Sequence, residues 1–267
     1  MSKNRKFWKS HAKESLRGRW GLAILGMLTA SAMNFAGNYL ASGLFPGESV
    51  PALVLSQVFM FIVSLIGMIL STGYCYMLLN MSRGRRAVLA DVFYLFRNQP
   101  DRVLVAGLVV SLLDTVVMLP LNYWTIMTNP EAQTFEAQLA WLQTAMLLLV
   151  LGMILGILIK LPLVLTFYLL ADNPEMGGVE ALKTSIRLMR GRKWKYVVLQ
   201  LSYLPLVVLS VFTLYIAFLW LLPYMQAVDT AFYMDILGEF DRTEPGYDDG
   251  GGYLSESSAG DDYNAEA

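Results

Sequence analysis

Two charged residues stand where charge is costly. Asp114 lies within the apolar stretch 103–127 and Lys160 within the apolar stretch 140–171, and a charge at the centre of a membrane span costs roughly 2.5–3.5 kcal/mol on insertion scales. Asp114 is 12 residues from Arg102, and Lys160 is 12 residues from Asp172. At 1.5 Å per residue, each sits about 18 Å along its helix from the nearest terminal charge. Equal depth on antiparallel neighbours permits pairing. The expectation is a buried ion pair or a polar cavity between two helices, serving either as a proton or substrate relay or, more simply, as a structural pair that fixes register. Asn34 and Asn38, one helical turn apart, can join that cavity or hydrogen-bond across a helix interface, the commoner role of such residues.

Other chemistries lack their residues. His11 is the single histidine and lies in a basic N-terminal segment, so neither a Ser–His pair nor an H-E-x-x-H metal site is available inside the apolar sequence. Asp114 and Asp229 nominally permit an aspartyl dyad, but that chemistry needs two adjacent carboxyl groups, and a G-x-G-D motif is absent. The single cysteine, Cys75, excludes an intrachain disulfide and a cysteine-based metal cluster. No catalysis, metal or prosthetic cofactor is expected. The 15 methionines read as filling for irregular helix contacts.

The elements that must position these residues are long helices. With 267 residues, 56% hydrophobic and 15% charged, and a mean hydropathy of +0.49, the chain departs from soluble proteins, of which roughly 25% of residues are charged. A water-soluble enzyme is excluded. A hydrocarbon core about 30 Å thick needs about 20 helical residues. Trp20–Leu44, Pro51–Leu79, 103–127 and 140–171 each meet this, the last with length to spare. Residues 196–237 supply two further spans if the chain turns near Thr213–Ile216, or one if it does not. Six spans are favoured over five, because Asp229, Asp235 and Glu239 then approach the inner surface.

Charge gives the orientation. Of the 20 Lys and Arg, 18 fall in segments 1–19, 81–102 and 172–195, and cytoplasmic loops carry this excess. The connections expected outside carry Glu48, Glu131 and Glu136 and no basic residue. Both termini are therefore expected in the cytoplasm. A retained first span is expected, although Ala30-Ser31-Ala32 imitates a signal-cleavage site. The tail from Asp241 to Ala267, with eight acidic residues and a Gly250–Gly252 run, is expected to be disordered.

Each basic segment has a helical apolar stripe. Trp8, Ala12 and Leu16 lie beside Lys9, Lys13 and Arg17; Leu89, Val92, Phe93 and Phe96 lie opposite Arg85 and Arg86; Val179, Leu182, Ile186 and Met189 lie beside Lys183, Arg187 and Arg190. Such helices are expected on the inner membrane surface, against anionic headgroups. The result is an integral membrane domain over 1–240 in three hairpin units, 1–80, 81–171 and 172–240. Gly152 and Gly156 form a G-x-x-x-G match that permits close helix approach, and Pro120, Pro162, Pro205 and Pro223 are expected to kink or break spans.

The C-terminal half carries an ordered motif set. Leu170-Ala171-Asp172-Asn173-Pro174 is followed by Glu180-Ala181-Leu182, Ser185, Met189-Arg190-Gly191, Leu201-Ser202, Leu219-Trp220, Pro223-Tyr224 and Phe232-Tyr233. Together with Leu16-Arg17-Gly18-Arg19-Trp20, this set resembles the bacterial integral membrane family called domain of unknown function 975, over most of residues 7–237. The resemblance implies a bacterial inner-membrane location and no particular activity. The chain departs from that family at Pro162, a position often basic, and at Thr213–Ala217, which replaces a glycine-containing turn. Physically, Asp172 or Asn173 reads as a helix N-cap, with Pro174 at the first helical position and Glu175 complementing the dipole.

The expected protein is an all-α, polytopic helix bundle. Its function is expected to be interaction or assembly, through basic helices that meet lipid, a protein partner or a second copy of itself; the alternative is a small-solute transporter using Asp114 and Lys160. Nucleic acid is not an expected partner.

Overall fold

The computed structural model describes residues 4–46, 49–128 and 134–242. Glu48, Glu131 and the acidic tail beyond Arg242 lie outside them. Among the described residues there are helices and no strand. Helices α1 (Arg5–Ser15), α2 (Trp20–Leu44) and α3 (Val50–Ser82) are followed by a 3-10 turn at Leu89–Phe93 and by α4 (Tyr94–Arg97). Then come α5 (Pro100–Met127), α6 (Phe135–Lys160) and α7 (Thr166–Asp172). The chain ends in α8 (Gly178–Met189), α9 (Lys193–Leu201), α10 (Leu204–Phe212), α11 (Phe218–Ile236) and α12 (Glu239–Arg242).

Five stretches are long and apolar enough to cross a membrane: Trp20–Leu44, Pro51–Ser82, Pro100–Met127, Phe135–Asp172 and Lys193–Phe212. The chain then reverses at Thr213–Ala217, where a turn is expected, and returns as α11. Leu214 and Tyr215 both have positive φ, 51° and 65°, a region that costs a residue with a Cβ. Helix α11 is 19 residues long and largely buried over its second half, including Val228, Ala231, Phe232 and Tyr233.

Packing is dense at one end, the end that carries the basic segments, and sparse at the other. At the basic end Trp8, Ala12 and Leu16 are fully buried. Trp8 meets Phe232 edge-on at 5.0 Å between ring centres, so α1 docks on α11. Burying Trp8 and Leu16 contributes about 4 kcal/mol at roughly 2 kcal/mol per large apolar side chain. Gly73 of α3 lies so close to the Val92 carbonyl that an added Cβ would overlap it, which seats the 3-10 turn directly on α3. At the far end Phe35, Tyr39, Phe135, Phe212 and Leu214 stand exposed, as lipid-facing side chains would.

The apolar stripes of the basic segments therefore turn out differently from a surface-lying arrangement. In α1 the stripe is buried in protein. In α8 Ala181, Leu182, Ser185 and Met189 are buried, whereas Val179 and Ile186 are exposed. The middle segment is not a continuous helix: residues 85–88 are extended or irregular, and Val92 and Leu95 are buried while Leu89, Phe93 and Phe96 are exposed. An apolar stripe at helical spacing satisfies a protein core as well as a membrane surface, and here the core takes most of it.

Prolines divide into two kinds. Pro120 and Pro223 sit inside α5 and α11, which continue through them, whereas Pro162 and Pro205 mark breaks. At the Pro162 break the fully buried Ser185 Oγ accepts from the Leu165 backbone N–H at 3.2 Å and donates to the Pro162 carbonyl at 2.8 Å. One hydroxyl from α8 replaces the helical partners that the break removes.

Candidate functional site

Asp114 and Lys160 do meet. Lys160 Nζ lies 3.0 Å from Asp114 Oδ1, across the α5–α6 hairpin. The side chains of Asp114 and Lys160 remain 42% and 46% exposed, respectively, so the expected burial, or a closed polar cavity around them, is corrected: the pair lies on an open flank of the hairpin. The reason is packing around α6, whose buried residues are Gly152 and Gly156 alone. Both glycines face α5, and an added Cβ would stand at ordinary contact distance, 3.4 Å from Met118 Sδ and 3.8 Å from Val117 Cγ1. The remainder of α6 is partly or largely exposed.

Asn34 and Asn38 do not join this pair. Both are exposed on α2, which packs against α3. The Asn38 amide donates to the Asn34 carbonyl in its own helix at 3.0 Å, and the Asn34 side chain lies over Gly67 of α3. Asp229 is engaged elsewhere: it accepts from Tyr196 O–H at 3.3 Å and from the Gln200 amide at 3.2 Å, both on α9. The two aspartates thus have separate partners, and no dyad forms between them. Among the described residues no group of three or more His, Cys, Asp or Glu could hold a metal ion.

A second polar constellation holds the basic end together. Arg83, just beyond α3, spreads its guanidinium over two carboxylates. Its Nη1 and Nη2 donate to Asp172 at 2.5 and 2.8 Å, and its Nε and Nη2 donate to Glu239 at 3.0 and 2.5 Å. Tyr233 O–H adds a bond to Asp172 Oδ2 at 3.0 Å. Four elements, α3, α7, α11 and α12, are joined through one cation. The hydrogen bonds to Asp172 and then Glu239 hold Arg83 above its ordinary pKa, so its charge is permanent.

Alongside it, Arg102 Nη1 donates to the carbonyls of Asn173 and Met176 at 2.8 and 3.1 Å and ties down the loop containing Pro174. This corrects the N-cap reading of Asp172 and Asn173. Asp172 ends α7, Asn173 is its C-terminal cap with its amide bonded back to the Leu169 carbonyl, and α8 starts only at Gly178 after Gly177. The D-N-P-E run imitates a helix start, but the acidic side chain is spent on Arg83.

The remaining motif positions are structural in kind. Arg190 is the exposed cap of α8, and Gly191 has φ +80°, which turns the chain into α9 at no Cβ cost. Pro223 is buried in α11, and Tyr224 meets Tyr203 edge-on at 6.3 Å. The motif set thus gathers at the Arg83 cluster, the α8–α9 turn and the α9–α11 contact.

Residues 1–239 match the family described as "Protein of unknown function (DUF975)". The chain belongs to this family. No curated protein and no solved structure matches this family member. Sequence reasoning missed Arg83, Glu239 and Tyr233 as a unit, since Arg83 is 89 residues from Asp172 and 156 from Glu239. The one usable signal was the recurrence of Asp172 and Tyr233 within the motif set.

Proposed function

We propose that this DUF975 protein is a non-enzymatic assembly protein of the cytoplasmic membrane, and that a second copy of the chain occupies the open flank of its α5–α6 hairpin. In this reading α11 is the sixth span, and the basic end, with both termini, faces the cytoplasm, as the positive-inside rule requires. The carrying observation is the half-exposed Asp114–Lys160 pair, with Asp114 midway along α5 and Lys160 at the end of α6, inside the apolar stretch Phe135–Asp172. A pair in hydrocarbon gains from any further polar partner, and lipid tails provide none.

A second copy provides one by symmetry. Rotation by 180° about the membrane normal places Lys160 of one chain opposite Asp114 of the other, and the reverse, at the same depth. Such a face is self-complementary, as a two-fold interface must be. Exposed Met153 and Ile157 share the Lys160 side of α6 at helical spacing and supply apolar contact around the four charges.

Disulfide crosslinking of Ile157→Cys in a Cys75→Ala background, in isolated membranes, tests this. A crosslinked dimer is expected, lost when Asp114→Lys sets like charges together and restored by the exchange Asp114→Lys with Lys160→Asp. Equal crosslinking in all three, at equal abundance, overturns the reading. Loss of solute flux in Asp114→Asn with crosslinking intact would instead support the transporter alternative.

A further inference from the structure

A shallow, mostly apolar groove of about 300 Å³ opens at the basic end, lined by Asn4, Arg5 and Trp8 of the α1 start and by Trp194, Lys195 and Val198 of α9. Trp194 is 77% exposed, a large ring left in the open. Each wall carries one exposed cation, Arg5 on α1 and Lys195 on α9, and neither has a carboxylate within ion-pair distance among the described residues. The surface complementary to such a groove is an acidic peptide that also carries an aromatic ring.

The chain itself supplies such a peptide and delivers it to this place. Phe240 of α12 packs edge-on against Phe7 and His11 of α1, at 4.9 and 4.8 Å between ring centres, and α12 ends at Arg242. The rest of the chain thus departs beside the helix that forms one wall of the groove. The 25 residues beyond Arg242 include seven acidic and no basic residues. Tyr247-Asp248-Asp249 follows five to seven residues after Arg242, a reach of about 17–25 Å for an extended chain. Asn4, Arg5 and Trp8 lie within one turn of Phe7 on α1, so the path is little more than the width of one helix, about 10 Å.

We propose that residues 247–249 seat in this groove in cis, Tyr247 against Trp194 and Val198, and the two aspartates on Lys195 and Arg5. A surface ion pair alone is worth little, but so short a tether holds the segment at an effective concentration on the order of millimolar, where weak contacts suffice. Anionic headgroups suit the same cations, but they arrive untethered and bring no ring. Seated, the segment withholds Arg5, Lys195 and Trp194 from acidic partners outside the chain, and its release exposes them. The seat rests on neither the dimer nor the orientation proposed above.

Disulfide formation between Val198→Cys and Gly250→Cys, in the full chain with Cys75→Ala in phosphatidylcholine nanodiscs, reads the seat. A crosslink within one chain is expected, about tenfold faster than between Lys13→Cys and Gly250→Cys, which joins the same segment to another exposed part of α1. Asp248→Lys/Asp249→Lys changes nothing in the described helices and should slow it about tenfold, because each attraction becomes a repulsion of similar size. Adding Arg5→Asp/Lys195→Asp should restore the rate. Arg187→Asp/Arg190→Asp reverses the same charge elsewhere on that end and should leave it unchanged. Equal rates at the Val198 and Lys13 positions, or no effect of the two lysines, overturns the seat. A crosslink that joins two differently tagged chains assigns the groove to the tail of a second copy and overturns docking in cis. Loss of the crosslink in phosphatidylglycerol nanodiscs assigns the groove to an anionic headgroup and overturns the tail as its occupant.

Discussion

Replacing Arg83 by Met tests whether one guanidinium holds the basic end closed. The substitution keeps an apolar stem and removes four charge-assisted hydrogen bonds. Breaking a buried pair from one side typically costs 3–5 kcal/mol, because the partner is left charged and unpaired. Here the side chains of Arg83, Asp172 and Glu239 are 15%, 18% and 24% exposed, so water recovers part of that. Asp172 keeps its bond from Tyr233, and Glu239, the most exposed of the three, is the more readily rehydrated. About 2 kcal/mol for Asp172 and about 1 kcal/mol for Glu239 gives an expected loss of about 3 kcal/mol. Urea unfolding in detergent micelles, followed by tryptophan fluorescence, measures it. Double-mutant cycles divide it: coupling of Arg83→Met with Asp172→Asn should be about 2 kcal/mol, and with Glu239→Gln about 1 kcal/mol. Arg83→Lys should fall between, since an ammonium cannot fork onto both carboxylates. A loss under 0.5 kcal/mol for Arg83→Met, an order-of-magnitude shortfall against that of a buried pair, would refute the reasoning.

Glycines separate cleanly: Gly73→Ala should cost about 1–3 kcal/mol by overpacking against the rigid Val92 carbonyl, whereas Gly152→Ala and Gly156→Ala, with room for a methyl, should be neutral or stabilise by up to about 1 kcal/mol each; thermal unfolding in micelles compares them. Ser185→Ala should cost about 2 kcal/mol by orphaning the Leu165 N–H and the Pro162 carbonyl, seen as faster amide exchange confined to the Pro162 break. Tyr215→Gly should stabilise by about 1 kcal/mol, because glycine relieves the positive φ; a lower unfolding midpoint would count against the strained turn. Burial pushes the His11 imidazole below its ordinary pKa, against a weaker opposite pull from a backbone hydrogen bond and Glu14. The unfolded state therefore takes the proton first, and α1 docking should weaken as pH falls from about 7.5 through 6.5 and below. Protease sensitivity near Ser15 reads this, and His11→Gln should flatten the response.

Much of the fold was legible because helices long and apolar enough to cross a membrane are written in long apolar runs: Trp20–Leu44 has the same limits in sequence and structure. The Asp114–Lys160 contact was legible too, through equal helical depth. Its exposure was not, since depth says nothing of the angle around the helix axis. The apolar stripe of α1 announced a helix but could not say what would cover it, because lipid and a neighbouring helix make the same demand on Trp8 and Leu16. The middle basic segment imitated that periodicity, but the chain is non-helical over 85–88 and then takes a 3-10 turn seated against Gly73, a long-range contact with no local signature. Asp172 was misread for a related reason. Local chemistry made it a cap, and the long-range partner that overrode local chemistry, Arg83, has no local signature.

The length of α3 bears on how the protein meets membranes of different thickness. Thirty-three residues extend about 50 Å at 1.5 Å per residue, against a hydrocarbon core of about 30 Å. For α3 spanning with little tilt, as proposed, roughly 20 Å of helix stands clear of the acyl region, and if the aromatic-rich far end, with Tyr39, Tyr123 and Trp141, marks one interface, the excess lies at the Arg83 cluster. A thicker or thinner bilayer then slides along bare apolar helix rather than straining the packed end. Mismatch energy, a fraction of a kcal/mol per Å, is then set by the apolar side chains of the far end that meet water, and the packed end stays unstrained.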